Sequence, residues 1–380
     1  MAWIFRTIAS MNPVIVSPSQ NPGSGKRPPV VSSLSRAAVP APEPSAPVMN
    51  GWSAPHFSHV RLLEDLRHRI NTTTGTVLEQ HQLYVDCASA ADWLGYCSRE
   101  DYEKGVGFDR DTLEWAAKLV RRYLAESQFD AQQLDVVSLG PGDGKNEDVL
   151  CRCLLEKVGL KKLNCYLLDI NPSLVIEAYG RVSRSLAQYS EARVAWMVGD
   201  FLELNEYPQL VAGKKDVLRL FCMFGGTFGN LSKELKFVRH SLRALKPGDL
   251  FLVHVTLGSA PPSEVDRIQA EEPFFQHIGK EQIPPIEAWI RGPIDRYRTD
   301  LQTLRFDYSV KKKSSSNFAS AYTITVDAIV NEMVRITMLE MHRYEMGDFT
   351  NTLVEEGFRA VGGQTYGYKN RRLIYLFAKQ

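Results

Sequence analysis

The stretch Val136-Val137-Ser138-Leu139-Gly140-Pro141-Gly142-Asp143-Gly144-Lys145-Asn146-Glu147 decides the fold. A short β-branched run stops at a turn of three glycines and a proline, and helix-favouring residues follow from Glu147 to Leu155. Glycine lacks the Cβ that keeps a ligand away from the main chain. Strand, tight loop and helix in this order therefore predict backbone N–H groups open to a nucleotide-like ligand. The spacing is G-x-G-x-G, not the G-x-G-x-x-G of a dinucleotide site or the G-x-x-x-x-G-K-[ST] of a phosphate loop. Asp143 and Glu147 add acidic groups that oppose a pyrophosphate and suit a cationic or amino-bearing ligand. Alone, the stretch reads equally well as a structural turn, and its neighbours have to decide.

Those neighbours, from about 134 to 257, alternate short apolar strands (136–139, 165–169, 194–198, 217–221 and 250–256) with helices beginning near Glu147, Pro172, Glu203 and Ser232. Parallel strands need helical crossovers, so the alternation predicts an α/β fold with a doubly wound, mostly parallel sheet. Ligands of such sheets sit beyond the carboxyl ends of the strands. There the chain places Asp169 after the second strand, Gly199-Asp200-Phe201 after the third and Phe224-Gly225-Gly226-Thr227-Phe228-Gly229-Asn230 after the fourth. Leu245-Lys246-Pro247-Gly248-Asp249-Leu250 is a helix stop and turn leading into the fifth. Each residue also has a purely structural reading. Asp169 precedes Ile170-Asn171-Pro172 and reads as a helix N-cap, Asp200 as a turn acid, and Asn230 as the cap of a helix from Leu231. Order and spacing together favour a ligand site.

The set resembles the class I methyltransferases that use S-adenosylmethionine, through GPGDGKNE, LLDIN, VGDF and LKPGDLFLV, over about 134–257 and the tail from 349. The resemblance implies a seven-stranded Rossmann-like sheet. It also implies backbone contacts from Gly140, Gly142 and Gly144 to the cofactor's amino-acid part, Asp169 on the ribose, and Asp200 with Phe201 at the adenine. LFCMFGGTFGNL (220–231) further resembles the F-x-G-S-T-I-G-N loop of the histidine-specific methyltransferases of the ergothioneine route, a group that also holds fungal indole-alkaloid N-methyltransferases. That narrower likeness implies a substrate domain made of an N-terminal helical module and an insertion after the fifth strand. Asn230 would meet the substrate's amino-acid group, Glu340 its ring, and Tyr102 the substrate as well. His342 stands where that family has Ser, a departure that sets histidine itself in question as substrate. Glu340 and His342 are the candidate proton acceptors for catalysis.

The rest of the chain bounds the reading. Residues 1–50, rich in Pro and Ser, are expected to be disordered, because they bury too little apolar surface to offset chain entropy; Arg6, Arg27 and Arg36 leave an organelle transit peptide open. Residues 51–130 read as the helical module, with Leu83-Tyr84-Val85-Asp86 and Trp93-Leu94-Gly95-Tyr96 as aromatic-lined turns. The cofactor-binding core is assigned to 131–258, an antiparallel insertion to 259–345 with strands at 306–310 and 322–330, and the completion of the core to 346–380 with a helix at 349–357 and a strand at 372–378. A formal net charge of +1 over 380 residues gives no footprint for nucleic acid, and no apolar run spans a bilayer. The run Lys311-Lys312-Lys313 reads as a solvated loop. Six scattered cysteines without a C-x-x-C pair suit reduced thiols in a cytoplasmic setting, and no zinc-like cluster calls for a metal. The functional expectation is an S-adenosylmethionine-dependent N-methyltransferase of a small amino-acid-like or amine substrate. A methyltransferase of a peptide side chain or oxygen nucleophile is the first alternative, a non-catalytic cofactor-binding scaffold the second and a nicotinamide oxidoreductase a weaker third. The oligomeric state is left open.

Overall fold

A computed structural model describes residues 51–380 except 55–56, 73–74, 99–109, 131, 212–216, 259–284, 312–317, 319 and 368–370. Segment 1–50, Tyr102, Pro261-Pro262 and Lys312-Lys313 lie outside the described residues.

The strands are β1 (Gly51–Ser53), β2 (Thr76–Val77), β3 (Gln133–Leu139), β4 (Lys162–Asp169), β5 (Ala192–Val198), β6 (Leu218–Met223), β7 (Leu250–Thr256), β8 (Leu304–Lys311), β9 (Ser320–Val330), β10 (Val334–Tyr344), β11 (Phe358–Tyr366) and β12 (Arg372–Lys379). The expected seven-stranded sheet is present in the order β5-β4-β3-β6-β7-β12-β11, and β1 adds an eighth strand at the β5 edge. Strands β3 to β7 pair in parallel, whereas β12 runs antiparallel to both β7 and β11. The central strands β3 and β6 are buried along almost their whole length because helices cover both faces, as a parallel sheet requires. Two buried layers follow, one under Leu150, Val175 and Val182, the other under Phe237, Leu242 and Phe349.

Helices α1 (His59–Ile70), α2 (Cys87–Cys97), α3 (Arg110–Glu126), α4 (Lys145–Cys153), α5 (Pro172–Leu186), α6 (Glu234–His240), α7 (Pro285–Tyr297) and α8 (Met346–Glu355) complete the description. Helix α2 corrects the turn expected around Trp93: Asp86 caps it, its carboxylate accepting the Ser89 N–H at 2.6 Å, and the Ala-rich CASAADWLGYC continues it. Helix α3 packs on the parallel sheet through Leu113, Ala116 and Val120. Helices α1 and α7 pack instead on the second sheet, ordered β2-β10-β9-β8. That sheet has two unlike faces. Tyr322, Ile324 and Val326 of β9 sit in the apolar layer with α1 and α7, whereas Thr323, Thr325 and Asp327 alternate onto a polar face shared by Glu340 and His342. Backbone pairing of Thr76 and Val77 with Ile336 and Thr337 ties the N-terminal module to this inserted sheet.

The six cysteines are free, five of them buried and Cys87 exposed. Among the described residues no helix is long and apolar enough to cross a membrane, and no group of three or more His, Cys, Asp or Glu residues is arranged to hold a metal.

Candidate cofactor and substrate cavity

A cavity of about 350 Å³ opens at the carboxyl ends of β3 to β6. Gly140, Gly142, Asp169, Asp200, Phe201 and Asn230 all line it, so the parallel sheet brings together six of the residues singled out from sequence. Three reasons put the glycines where they are, and they differ. Gly140, Gly142 and Gly144 all have positive φ (71°, 59° and 74°), which only glycine adopts without strain. A Cβ on Gly140 would stand 3.5 Å from the Phe201 ring and one on Gly142 3.5 Å from the Trp93 indole nitrogen, so both open onto the cavity. A Cβ on Gly144 would instead lie 2.7 Å from the Ala178 Cα, in the contact between α4 and α5. Gly144 is not among the residues that line the cavity, and its lack of a side chain serves the packing of α4 on α5.

The acids of the loop are also not equivalent. Glu147 is buried under the loop, 1% exposed, and its Oε1 accepts the Ser138 hydroxyl at 2.7 Å. Burial pushes its carboxyl up to about 8, so it is neutral at pH 7 and repels nothing. Asp143 does line the cavity, but Lys145 (3.6 Å) and Arg181 (3.8 Å) flank its carboxylate. Asp169 is 5% exposed and accepts the Asn171 N–H at 2.9 Å. Burial pushes it up to about 7, although N–H groups of Asn171, Gly142 and Ile170 point at it and pull the other way. A carboxyl so enclosed, with no cation against it among the described residues, gains from a ligand that donates hydroxyls. Asp200 is likewise raised by burial, with His81 opposing, and its Oδ1 accepts the Leu202 N–H at 2.9 Å, capping a short turn over Phe201–Glu206.

Asn230 ends the 3₁₀ turn Thr227–Asn230, and α6 starts four residues later behind Lys233. The capping role that sequence allows it is thus excluded, and its side chain is left facing the cavity. The turn is placed by left-handed Gly225 and Gly226 (φ 67° and 79°) and by the Gly226 N–H, which donates to His254 Nδ1 at 3.1 Å. Glu340 and His342 do not line the cavity; Tyr102 lies outside the described residues. His342 is 4% exposed, with Nδ1 2.8 Å from the Thr323 hydroxyl and Nε2 3.0 Å from the Leu231 carbonyl. Glu340 is half-buried on the same face of β10, two residues away.

Sequence reasoning missed the wall supplied by the N-terminal module: Glu79, Gln80, His81, Tyr84 and Trp93. Glu79 accepts the Ser232 hydroxyl and lies 3.7 Å from Lys233 Nζ, joining the module to the turn that carries Asn230. The aromatic residues Tyr84 and Trp93 were the available signal, but in a single sequence they are indistinguishable from core packing.

The model of a family described as histidine-specific, S-adenosylmethionine-dependent methyltransferases matches residues 115–263, the stretch that holds the glycine loop, Asp169, Asp200 and Asn230. The chain is an S-adenosylmethionine-dependent methyltransferase. Its cofactor is S-adenosylmethionine, and the cradle fits it: Gly140 and Gly142 open onto the cavity, and the buried carboxyl of Asp169 lines it at the end of the next strand. No curated protein matches this methyltransferase. Among solved structures, the glycopeptide N-methyltransferase MtfA is similar at 12% identity and a TM-score of 0.34, covering 70% of this chain and 90% of that one. The Burkholderia thailandensis 1,6-didemethyltoxoflavin-N1-methyltransferase is similar at 10% and 0.38 (77% and 88% covered), and the magnesium protoporphyrin IX methyltransferase ChlM of Synechocystis PCC 6803 at 10% and 0.40 (78% and 97%). Likeness this distant carries no residue's role across.

Proposed function

We propose that this methyltransferase transfers a methyl group to the nitrogen of a small amino-acid-like or amine substrate. The observation that carries the reading is Asn230. A carboxamide, able both to donate and to accept, is held in the same cavity as Gly140 and Gly142 by a turn with no capping duty. That is the chemistry needed to hold an amino-acid group. We assign Gly140 and Gly142 to the amino-acid part of the cofactor, Asp169 to its ribose hydroxyls, and Asp200 with Phe201 to the adenine.

The bound cofactor supplies an electrophilic methyl on a cationic sulfur. The protein's own contribution is to align the attacking nitrogen and to keep water out, which is where most of the acceleration of an in-line displacement originates. The acceptor must be neutral to attack, and an α-amino group of ordinary pKa about 8 is lowered by desolvation among Tyr84, Trp93 and Phe224. The freed proton needs an acceptor. His342 is unsuited, since its ring nitrogens are already bonded to Thr323 and Leu231. Glu340, two residues along the same strand face, does not line the cavity either, so neither residue of β10 is assigned that role. A substrate left cationic after methylation is stabilised over the face of Phe224.

The test is turnover of labelled cofactor against a panel of amino acids, amines, peptides and phenols, repeated with Asn230→Ala. An amine acceptor whose KM rises in Asn230→Ala, with the affinity for S-adenosylhomocysteine unchanged, supports the reading. Methylation confined to peptides or hydroxyls, or equal loss of acceptor and cofactor binding, refutes it.

A further inference from the structure

The turn that carries Asn230 is gripped by the inserted sheet through one strand, β10. His342 Nε2 is 3.0 Å from the Leu231 carbonyl and 3.6 Å from a Glu234 carboxylate oxygen, while its Nδ1 is 2.8 Å from the Thr323 hydroxyl. Two residues on, the Tyr344 hydroxyl donates to that same Glu234 oxygen at 3.0 Å. Between them, the backbone of Gly229 comes so close that a Cβ there would be 3.1 Å from the His342 carbonyl and 3.6 Å from the Tyr344 ring. Residues 229, 231 and 234 thus all bear on β10, and Asn230, which lines the cavity, lies between the first two.

The bonding also fixes the proton at one end of the ring. A carbonyl oxygen only accepts, so Nε2 must carry a proton. The Thr323 hydroxyl can donate, and it sits on Nδ1, the nitrogen a neutral Nε2–H ring leaves as an acceptor. A ring in that state, buried and bonded at both ends, braces the turn and has no lone pair to offer a substrate. We infer that His342 is a positioning residue: as the neutral Nε2–H tautomer it joins Thr323 of the inserted sheet to Leu231, and so fixes Asn230 toward the cavity. Proton transfer is not its task. The inference rests on the reading that Asn230 meets the methyl acceptor.

The experiment uses the full chain with His342→Gln, His342→Ala and Thr323→Val. Losing one net buried hydrogen bond of about 1.4 kcal/mol corresponds to about a tenfold change in a local opening equilibrium. Amide hydrogen exchange of 227–234 should therefore quicken about tenfold in His342→Ala and to a smaller degree in Thr323→Val, while the glycine loop at 138–146 and the affinity for S-adenosylhomocysteine stay put. Nitrogen-15 spectra of the imidazole should give the neutral Nε2–H tautomer across pH 6–8. With the most active amino acid or amine of the panel, His342→Gln should raise KM, keep most of kcat and leave the acid limb of the kcat/KM profile where it is. Unchanged exchange in both alanine and valine variants, an Nδ1–H tautomer, or loss of the acid limb overturns the inference. Should His342→Ala fail to fold, Thr323→Val and the tautomer decide alone. If no panel member is methylated, or Asn230→Ala leaves its KM unchanged, the substrate reading fails instead, and exchange and tautomer still judge His342.

Discussion

Asp169→Asn should make the cofactor-free methyltransferase more stable while ending its response to cofactor. Carrying a carboxyl from its ordinary value of 3.8 up to about 7 corresponds to about 4 kcal/mol of penalty on the charged form. The sign follows from proton binding. Below pH 3.8 both folded and unfolded chains hold the proton, and nothing is lost. Above it the unfolded chain releases the proton first, so folding loses about 1.4 kcal/mol per pH unit until the folded group also ionises near 7. Asn is uncharged throughout. Its amide keeps one oxygen for the Asn171 N–H, bonded at 2.9 Å, but turns donors toward the other N–H groups, at a cost of about 1 kcal/mol. The variant should therefore exceed the wild type by about 3 kcal/mol at pH 8 and by less than about 1 kcal/mol at pH 5. Urea titrations of both proteins at the two pH values measure this. Adding S-adenosylhomocysteine at about 100 times its Kd should stabilise the wild type by about 2.7 kcal/mol and Asp169→Asn far less. A variant less stable than wild type at pH 8, or a difference that ignores pH, would refute the claim that burial without a cation raises this carboxyl. A full response to ligand would remove Asp169 from the site.

Two further predictions separate stability from binding. Gly144→Ala drives a Cβ to 2.7 Å from the Ala178 backbone at positive φ, so it should cost about 2–3 kcal/mol in thermal or urea unfolding, with ligand affinity per folded molecule unchanged. Gly142→Ala meets only the Trp93 indole at 3.5 Å, so the loss should be smaller in stability and larger in S-adenosylhomocysteine affinity by calorimetry. Glu147→Gln keeps an acceptor for Ser138 and removes a carboxyl raised from 4.5 to about 8. Because the folded group stays protonated up to that value while the unfolded one ionises, the gain in stability over wild type should widen by about 2–3 kcal/mol from pH 6 to pH 9. A gap that stays flat with pH would mean that Glu147 is not buried as described.

What could be read in the sequence was what a single local physical rule dictates. Strands β3, β4 and β7 are legible because both their faces are covered, which leaves continuous apolar runs, and α5 because Asn171 and Pro172 mark its start. Strand β11 was not foreseen: it lies at the sheet edge, and Arg359, Gly362, Gly363 and Gln364 break any alternation. Helix α2 was hidden by Gly95 and its aromatic residues, whose partners lie far away in the chain. Trp93 packs 4.8 Å from Trp289, a contact no local pattern encodes. The same limit governs the site. Asp169 and Asn230 are found by their place at strand ends, whereas Glu79, Gln80 and Trp93 reach the cavity only through tertiary docking, and Gly144 belongs to α4 and α5 despite its place in the motif.

The competing readings of LLDIN, a helix cap or a ligand site, turn out not to compete. Asn171 is the cap: its side-chain oxygen accepts the N–H groups of Ser173 (2.7 Å) and Leu174 (3.3 Å). This frees Asp169 from capping α5, although it still accepts the Asn171 N–H and so fixes the residue that does. The nitrogen of the same Asn171 side chain donates to the carbonyls of Tyr84 (2.5 Å) and Asp86 (3.0 Å), in the segment that leads from the cavity wall into α2. One carboxamide therefore closes a helix start of the core and docks the module that carries Tyr84 and Trp93. Because Asn171 is fully buried, losing either set of bonds strands polar groups without water, which costs more than the bonds are worth net. Cofactor cradle and module wall are in this way set by adjacent residues at the end of β4, and a change at Asn171 should disturb both halves of the cavity at once.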